Sequence, residues 1–468
     1  MHFSQEFIAT IRTLKMEIHC LSIHVWQNSE DGPSLKGHGT IKQNKFGNLY
    51  MEFVCTDTQY SHKPNGDITL IFPKDSLNLE ETLFAEIVDI SGRTWKTQGF
   101  RLELSAFGIQ KNKIMYIPLS SIESEEIQDS DVEKTYLHLE FEQEIDIPYN
   151  KANTTTSSAT KSESHGFNEL SFNIGNTEIR IVNESEYRFV KAIGGSEPEA
   201  IEQCLKFHLG FSCGTLIQPY ILFTNVGHIN KCIIRSFNNQ LSHKRSSNPI
   251  PSNVQIPPSR GNYSVELFEK ILKLHKEYRH YFNCLSNHWE RVWRAFNTTD
   301  DLAELVLAVA IEGILNDIYI PNFKMHRVDQ NLVSAITDIK KNLDDLDIEQ
   351  KHLERLKSSV SYWMNITAAK ALEILINEEV LGAKDKKLWN KVRNGSAHPT
   401  SKKMNSVEDQ QKRGEVLACL DIFHKLVLNV LTYAGPVTLF STDMKKAIYL
   451  AYTPVLKEPE KSSLPVPV

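Results

Sequence analysis

The sequence has no apolar run approaching the roughly 20 residues that a bilayer demands. Its most apolar stretch, Leu305–Ile311, is far shorter, so no membrane-spanning helix is expected. Met1–Cys20 also lacks the basic, apolar and small-residue regions of a secretory signal. The 7 cysteines are an odd number and include no CxxC pair, which argues against a disulfide scaffold. A cytoplasmic protein without membrane association is the expectation. Charge of one sign is scarce too. The 52 basic and 58 acidic side chains leave a formal charge of −6, which excludes a wholesale nucleic-acid coat. GxxxxGK(S/T), a helix-opening GxGxxG, HExxH and GxSxG are all missing, and Gly194-Gly195 reads as a turn.

What remains is ordinary globular material. The chain has 468 residues, 41% of them hydrophobic and 24% charged. At about 150 residues per domain this suggests roughly three domains with sizeable cores. Charge is unevenly spread: residues 1–260 hold 24 basic and 31 acidic side chains (−7), residues 261–468 hold 28 and 27 (+1).

Residues 1–150 alternate with period two. Ile68, Leu70 and Phe72 form one series, and Phe100, Leu102 and Leu104 another. In a third, Leu137, Leu139 and Phe141 alternate with Tyr136, His138 and Glu140. This is the pattern of antiparallel strands with one wet face, in a sandwich or barrel. Residues 151–165 hold eight Ser or Thr and read as a flexible excursion. Residues 166–241 continue the β-rich half with one helix, capped by Ser196, begun at Pro198 and ended at Gly210, with Ile201, Leu205 and Leu209 inward. Four prolines mark 242–261 as a linker. From 262 to 440 the period becomes 3.6, as in a helical bundle, and 441–468 is a tail. Phe268, Leu272 and His275 mark one helix; Trp289, Trp293 and Phe296 mark the next. Ser406 and Asp409 resemble a capping box opening a long final helix, whose inner face is Leu417, Leu420, Phe423, Val427 and Leu431. The fold class is α+β and multidomain, β-rich first and all-α second.

One constellation could carry chemistry. Arg393-Asn394-Gly395-Ser396-Ala397-His398 follows a helix predicted over 385–391. The 15 arginines and 17 histidines predict about half an Arg-x4-His by chance, so the pattern alone says little. Its surroundings raise its value. Residues 384–403 hold seven Lys or Arg against one Asp, a patch suited to a phosphate backbone. Glu312 is the only charge in the helical stretch Leu305–Asn316, so it should be buried and should have a cationic or hydrogen-bonding partner.

Arg-Asn-x-x-x-His near the end of a helical C-terminal domain resembles the signature of HEPN ribonucleases. A β-rich half, a linker and that domain together resemble the ApeA-like family of anti-phage abortive-infection proteins. The resemblance implies a metal-independent RNA endonuclease. Its substrate supplies the 2′-OH nucleophile and is left with cyclic-phosphate or 3′-phosphate ends. Arg393 would stabilise the scissile phosphate. His398 would move the proton. Asn394 and Glu312 would position them, and Lys386, Lys387 and Lys391 would hold RNA. In this family two such motifs face each other across a two-fold axis. With one Arg-x4-His in the chain, a homodimer is expected. A transfer RNA, whose loops are flexible, suits as substrate. The N-terminal half would sense a phage-derived trigger or restrain the nuclease. HEPN toxins silenced by adenylylation carry a Tyr two residues after the motif His; Thr400 stands there, so that control is not expected.

Other readings stand beside this one. Arg393 can be a helix-terminal charge and the basic window a solvated face. The bundle can be a dimeric HEPN-like module that binds RNA or protein without cutting. Cys204, His208, Cys213, His228 and Cys232 could hold zinc, but their intervals match no standard finger and Cys204 and His208 flank the apolar stripe. Core packing is the preferred reading there, with no cofactor required.

Overall fold

The structure is a computed structural model that describes residues 5–28, 32, 34–59, 82–100, 114–127, 134–143, 145, 151–156, 161–166, 168–195, 197–237, 248–251, 263–326, 330–346, 348–362, 365–397, 406–441 and 447–449. Two compact units emerge: Met1–Lys206 with Ile217–His243, and Phe207–Leu216 with Lys244–Val468. The arrangement is α+β. No helix among the described residues is long and apolar enough to cross a membrane.

In the first unit, helix α1 (Gln5–Arg12) accompanies a 13-stranded antiparallel sheet. In spatial order its first six strands are Glu169–Ile174, Thr177–Asn183, Arg188–Gly194, Thr135–Phe141, Ile221–Val226 and Ile229–Arg235. Then come Ser121–Ile127, Thr94–Thr97, Leu83–Asp89, Glu17–Gln27, Ser34–Gln43, Leu49–Gln59 and Ile114–Leu119. The ladder has two ends, so hydrogen bonding closes no barrel among the described residues. Trp95, Phe53, Met51 and Ile87 sit in its core. The Ile68 series and Leu102 and Leu104 fall outside the described residues.

The Thr135–Phe141 strand corrects the expected wet face. Leu137, Leu139 and Phe141 are buried as the alternation requires, but so are His138 (4% exposed) and Glu140 (0%). Helix α1 supplies the reason. Arg12 donates from Nε and Nη2 to the Glu140 carboxylate at 2.9 and 2.7 Å. The Tyr220 hydroxyl donates to the same carboxylate at 2.9 Å, and His138 Nε2 lies 2.8 Å from it. Burial alone would push the Glu140 carboxyl up; the His138 and Arg12 hydrogen bonds outweigh it and hold it at about 2.

Removing Arg12 leaves that carboxylate short of its cation. Breaking a fully buried pair costs about 3–5 kcal/mol. Arg12 is partly exposed, and Tyr220 and His138 remain, so Arg12→Ala is expected to cost about 2 kcal/mol at pH 7 by urea unfolding. The depressed carboxylate stabilises above its ordinary 4.5, and that contribution is lost as pH falls towards about 2. The deficit of the variant should therefore shrink in that window; a pH-independent deficit would mean that Arg12 acts by packing alone.

Two paired strands stand where residues 151–165 read as a flexible excursion. Lys151–Thr156 pairs antiparallel with Lys161–Gly166, Thr156 opposite Lys161. Poverty in apolar residues forbids a core of its own but not a ladder, and β-branched threonines favour extended backbone.

Helix α2 (Pro198–Cys213) starts as expected but ends later. Gly210 is inside it, and the reversal is made by Gly214 at φ +63°. The Thr215 amide donates to Gly210 O and the Gly214 amide to Phe211 O, which satisfies the terminal carbonyls. Ile201, Leu205 and Leu209 are buried as read; Ser196 falls outside the described residues.

The helices of the second unit are α3 (Tyr263–Glu277), α4 (Arg279–Phe296), α5 (Asp300–Ile314), α6 (Ile320–His326) and α7 (Gln330–Asp344). They continue with α8 (Gln350–Tyr362), α9 (Ala368–Asn377), α10 (Ala383–Ala397) and α11 (Ser406–Val430). A π-helical turn, Leu315–Tyr319, joins α5 to α6. Helix α5 packs against α4, α10 and α11. The predicted inner residues Phe268, Trp293, Leu420, Phe423 and Val427 are buried. Within the expected tail, Ala447–Tyr449 pairs with Pro436–Thr438.

Candidate functional site

The predicted site is assembled by α5 and α10. Thr299 opens α5 by accepting the Leu302 amide on its hydroxyl, and Asp300 and Asp301 complement the helix dipole in the first turn. Along α5, Leu302, Leu305, Val309 and Glu312 recur at intervals of three and four and share one face. That face is not buried, contrary to the burial expected of the stretch Leu305–Asn316. Leu302, Leu305 and Val309 are 40%, 43% and 55% exposed. Glu312 is half-buried, not buried.

Helix α10 runs six residues beyond its predicted end at Lys391, so Arg393 and Asn394 lie inside a helix, not at a junction. Gly395 costs about 1 kcal/mol within a helix but does not stop it when its neighbours pack. Trp389 and Val392 supply that packing, each 1% exposed, and the Trp389 indole N–H donates to Ala308 O of α5 at 3.3 Å.

Arg393 then meets Glu312 side by side. Its Nε donates to Glu312 Oε2 at 3.0 Å and its Nη2 to Oε1 at 2.8 Å. The guanidinium carbon lies 5.3 Å from the Trp389 ring centroid. Glu312 thus has the cationic partner expected of it, and Arg393 is fixed by a planar two-point contact and by stacking. Asn394 is exposed. His398 falls outside the described residues.

The expected RNA-binding lysines are divided. Lys386 pairs with Glu373 and Lys391 with Glu415, whereas Lys387 is exposed with no ion pair among the described residues. Glu373 and Glu415 were not foreseen; no local pattern links them to α10.

The residues weighed as zinc ligands, for which core packing was preferred, are not grouped as ligands among the described residues. Cys204 and Cys232 are buried, Cys213 is half-buried and His228 exposed. His208 is buried, with Nε2 2.8 Å from Ser264 O. Among the described residues a different trio comes close enough to share a metal, Cys284, His288 and Asp317, with ligating atoms within 4.8 Å of one another. Cys284 and His288 stand four apart on α4, a spacing visible in the sequence, while Asp317 is delivered by the π-helical turn. Gly313 makes the approach possible, because a Cβ there would lie 2.4 Å from the His288 ring. The Cys284 thiol donates to Asp317 Oδ2 at 3.7 Å, and burial pushes it up to about 12. The trio could take a soft divalent ion such as zinc, but this hydrogen bond accounts for its closeness without one.

What the α5–α10 arrangement can do is hold a guanidinium in a fixed orientation beside a basic surface, which suits recognition of a phosphate. No family model, curated protein or solved structure matches the chain.

Proposed function

We propose that the chain is a metal-independent RNA endonuclease of the HEPN type, acting in abortive-infection defence against phage. The observation that carries this reading is the two-point Arg393–Glu312 contact on a stacked Trp389. An arginine so held is pre-oriented to receive a phosphate on its remaining donors, at little further entropic cost. His398 follows in sequence one residue after α10 and supplies the proton transfer. The RNA supplies its own 2′-OH. Leu302, Leu305 and Val309, exposed on the face that carries Glu312, support a two-fold partner that would bring a second Arg393 and His398 to the same RNA. The β-rich unit would sense the trigger. Purified protein in EDTA is expected to cut cellular RNA, transfer RNA included, and to leave 2′,3′-cyclic phosphate or 3′-phosphate ends. If 5′-phosphate ends appear, or if cleavage requires a metal, the reading fails.

Glu312 gives a sharper test. Its ion pair is half-exposed, so Glu312→Ala should change stability by less than about 1 kcal/mol. Cleavage should nonetheless fall by roughly tenfold, because Arg393 loses its orientation. Equal losses of stability and cleavage would make the pair a structural strut.

One observation favours the non-catalytic alternative, a dimeric module binding RNA or protein. Lys386 and Lys391 are already matched with carboxylates, as on an ordinary solvated face. That reading predicts binding that collapses with salt and is indifferent to His398.

A further inference from the structure

The β-rich unit contains a cavity of about 670 Å³ that the nuclease reading does not use. That size lies within the range of small-molecule sites. Its floor is the sheet face where Thr135–Phe141 runs between Arg188–Gly194 and Ile221–Val226; helix α1 forms one side. Register places Lys191 and Phe223 on either side of His138, and Asn225 between Tyr136 and Asn230.

Three features of the lining point to one ligand chemistry. The walls are aromatic. Tyr187 and Phe189 stack with centroids 5.9 Å apart, and His138 lies 5.9 Å from Phe223. With His138 also 5.4 Å from Phe189, these rings form one continuous aromatic surface on which a planar ring can lie. Next, positive charge is in excess. Arg12 is committed to Glu140, but Lys191, half-buried and with its ammonium 5.1 Å over the Phe189 ring, has no ion pair among the described residues. Burial and the charges of Arg180 and Arg12 push Lys191 down, which Glu140 partly offsets. The acidic member of the lining, Glu6, is exposed on α1.

Finally, buried polar atoms are left over. Among the described residues His138 Nδ1 and Asn225 Oδ1 have no hydrogen-bond partner, although their residues are only 4% and 7% exposed. Asn225 Nδ2 donates to Asn230 Oδ1 at 2.5 Å, which leaves Asn225 Oδ1 and Asn230 Nδ2 unmatched. The pair therefore presents one acceptor beside one donor. Exchanging O and N in both amides preserves that pattern, so it does not depend on their assignment. A heteroaromatic edge carrying an N–H beside a ring nitrogen or carbonyl is its complement.

We propose that this cavity binds a nucleoside phosphate, with the base against the aromatic surface, its edge on Asn225 and Asn230, and the phosphate on Lys191. The site lies wholly within the β-rich unit and does not depend on the nuclease reading.

Isothermal titration of the full chain with AMP, GMP, CMP and UMP, and with inorganic phosphate, tests it. At least one nucleotide is expected to bind at one site per chain. Lys191→Met should weaken that nucleotide by roughly tenfold or more, the worth of one charge-assisted hydrogen bond. Asn225→Leu should weaken it while leaving the response to inorganic phosphate unchanged. Far-ultraviolet circular dichroism establishes that both variants are folded. The Arg393→Ala/His398→Ala double variant should bind as wild type does, which separates this cavity from any nucleotide contact in the helical unit. The proposal is overturned if no nucleotide binds, if phosphate alone binds as tightly, or if binding survives Lys191→Met but not the double substitution.

Discussion

Substituting His398 by alanine is expected to lower RNA cleavage by roughly 10²–10⁴-fold, the typical worth of a positioned general acid or base. Arg393→Ala should fall in the same range, because a single preorganised donor to a developing oxyanion commonly contributes that much. Neither change should unfold the helical unit. Arg393 contributes a half-exposed ion pair, worth less than about 1 kcal/mol. The double variant should be little worse than either single one, since two groups acting on one transition state are not additive. The measurement is single-turnover cleavage of a labelled RNA in EDTA, with melting temperature recorded on the same preparations. Unimpaired cleavage by His398→Ala removes the proton-transfer assignment. Cleavage lost together with the melting transition reduces Arg393 to a structural residue. In the non-catalytic alternative His398→Ala leaves RNA affinity nearly unchanged, and triple substitution of Lys386, Lys387 and Lys391 abolishes it.

Periodicity made the coarse architecture legible. Strand alternation in the first half and helical spacing in the second follow from local burial, and local burial is what a sequence displays. Errors arose where distant residues decide. Glu140 looked like a solvated strand residue because its cation, Arg12, is 128 positions away in sequence. The outer stripe of α5 looked buried because Leu302, Leu305 and Val309 are apolar, yet composition does not say which face meets a neighbour. Helix α10 outran Gly395 because Trp389 and Val392 anchor it, and packing overrides a propensity cost of about 1 kcal/mol. The Arg393–Glu312 contact was half legible: a lone charge in an apolar helix announced that it needed a partner, and only the resemblance to HEPN ribonucleases linked it to the motif Arg or His. For Cys204, His208, Cys213, His228 and Cys232, the irregular intervals already favoured core packing over zinc.

Acidification should loosen the helical unit well above the carboxylate range, and two histidines are the reason. His424, 4% exposed, lies edge-on to Phe211 at 5.6 Å and close to Phe440, with no hydrogen bond to Nδ1 among the described residues. Burial lowers it from 6.5 to about 3. His208 is lowered from 6.5 to about 4, again by burial, which its hydrogen bond with Ser264 only partly offsets. The unfolded chain therefore binds a proton at each below pH 6.5 while the folded unit does not, and stability falls with pH from there until the folded values are reached. By pH 5 each histidine should have cost about 2 kcal/mol, at 1.36 kcal/mol per pH unit. Asp421, one turn from His424, works the other way. Burial raises its carboxyl despite hydrogen bonds from Ser441 and Phe440, so falling pH relieves it. Lys425, on the same helix, pairs with Asp385 at 3.0 Å. The net expectation is marked loss of protection between pH 6.5 and 5, read by hydrogen exchange in peptides of α11. His424→Phe should remove about half of that slope, since phenylalanine occupies the same aromatic contacts and takes no proton. A slope unchanged by His424→Phe would transfer the effect to other groups; a protein equally protected at both pH values would show that neither ring is truly sealed from water.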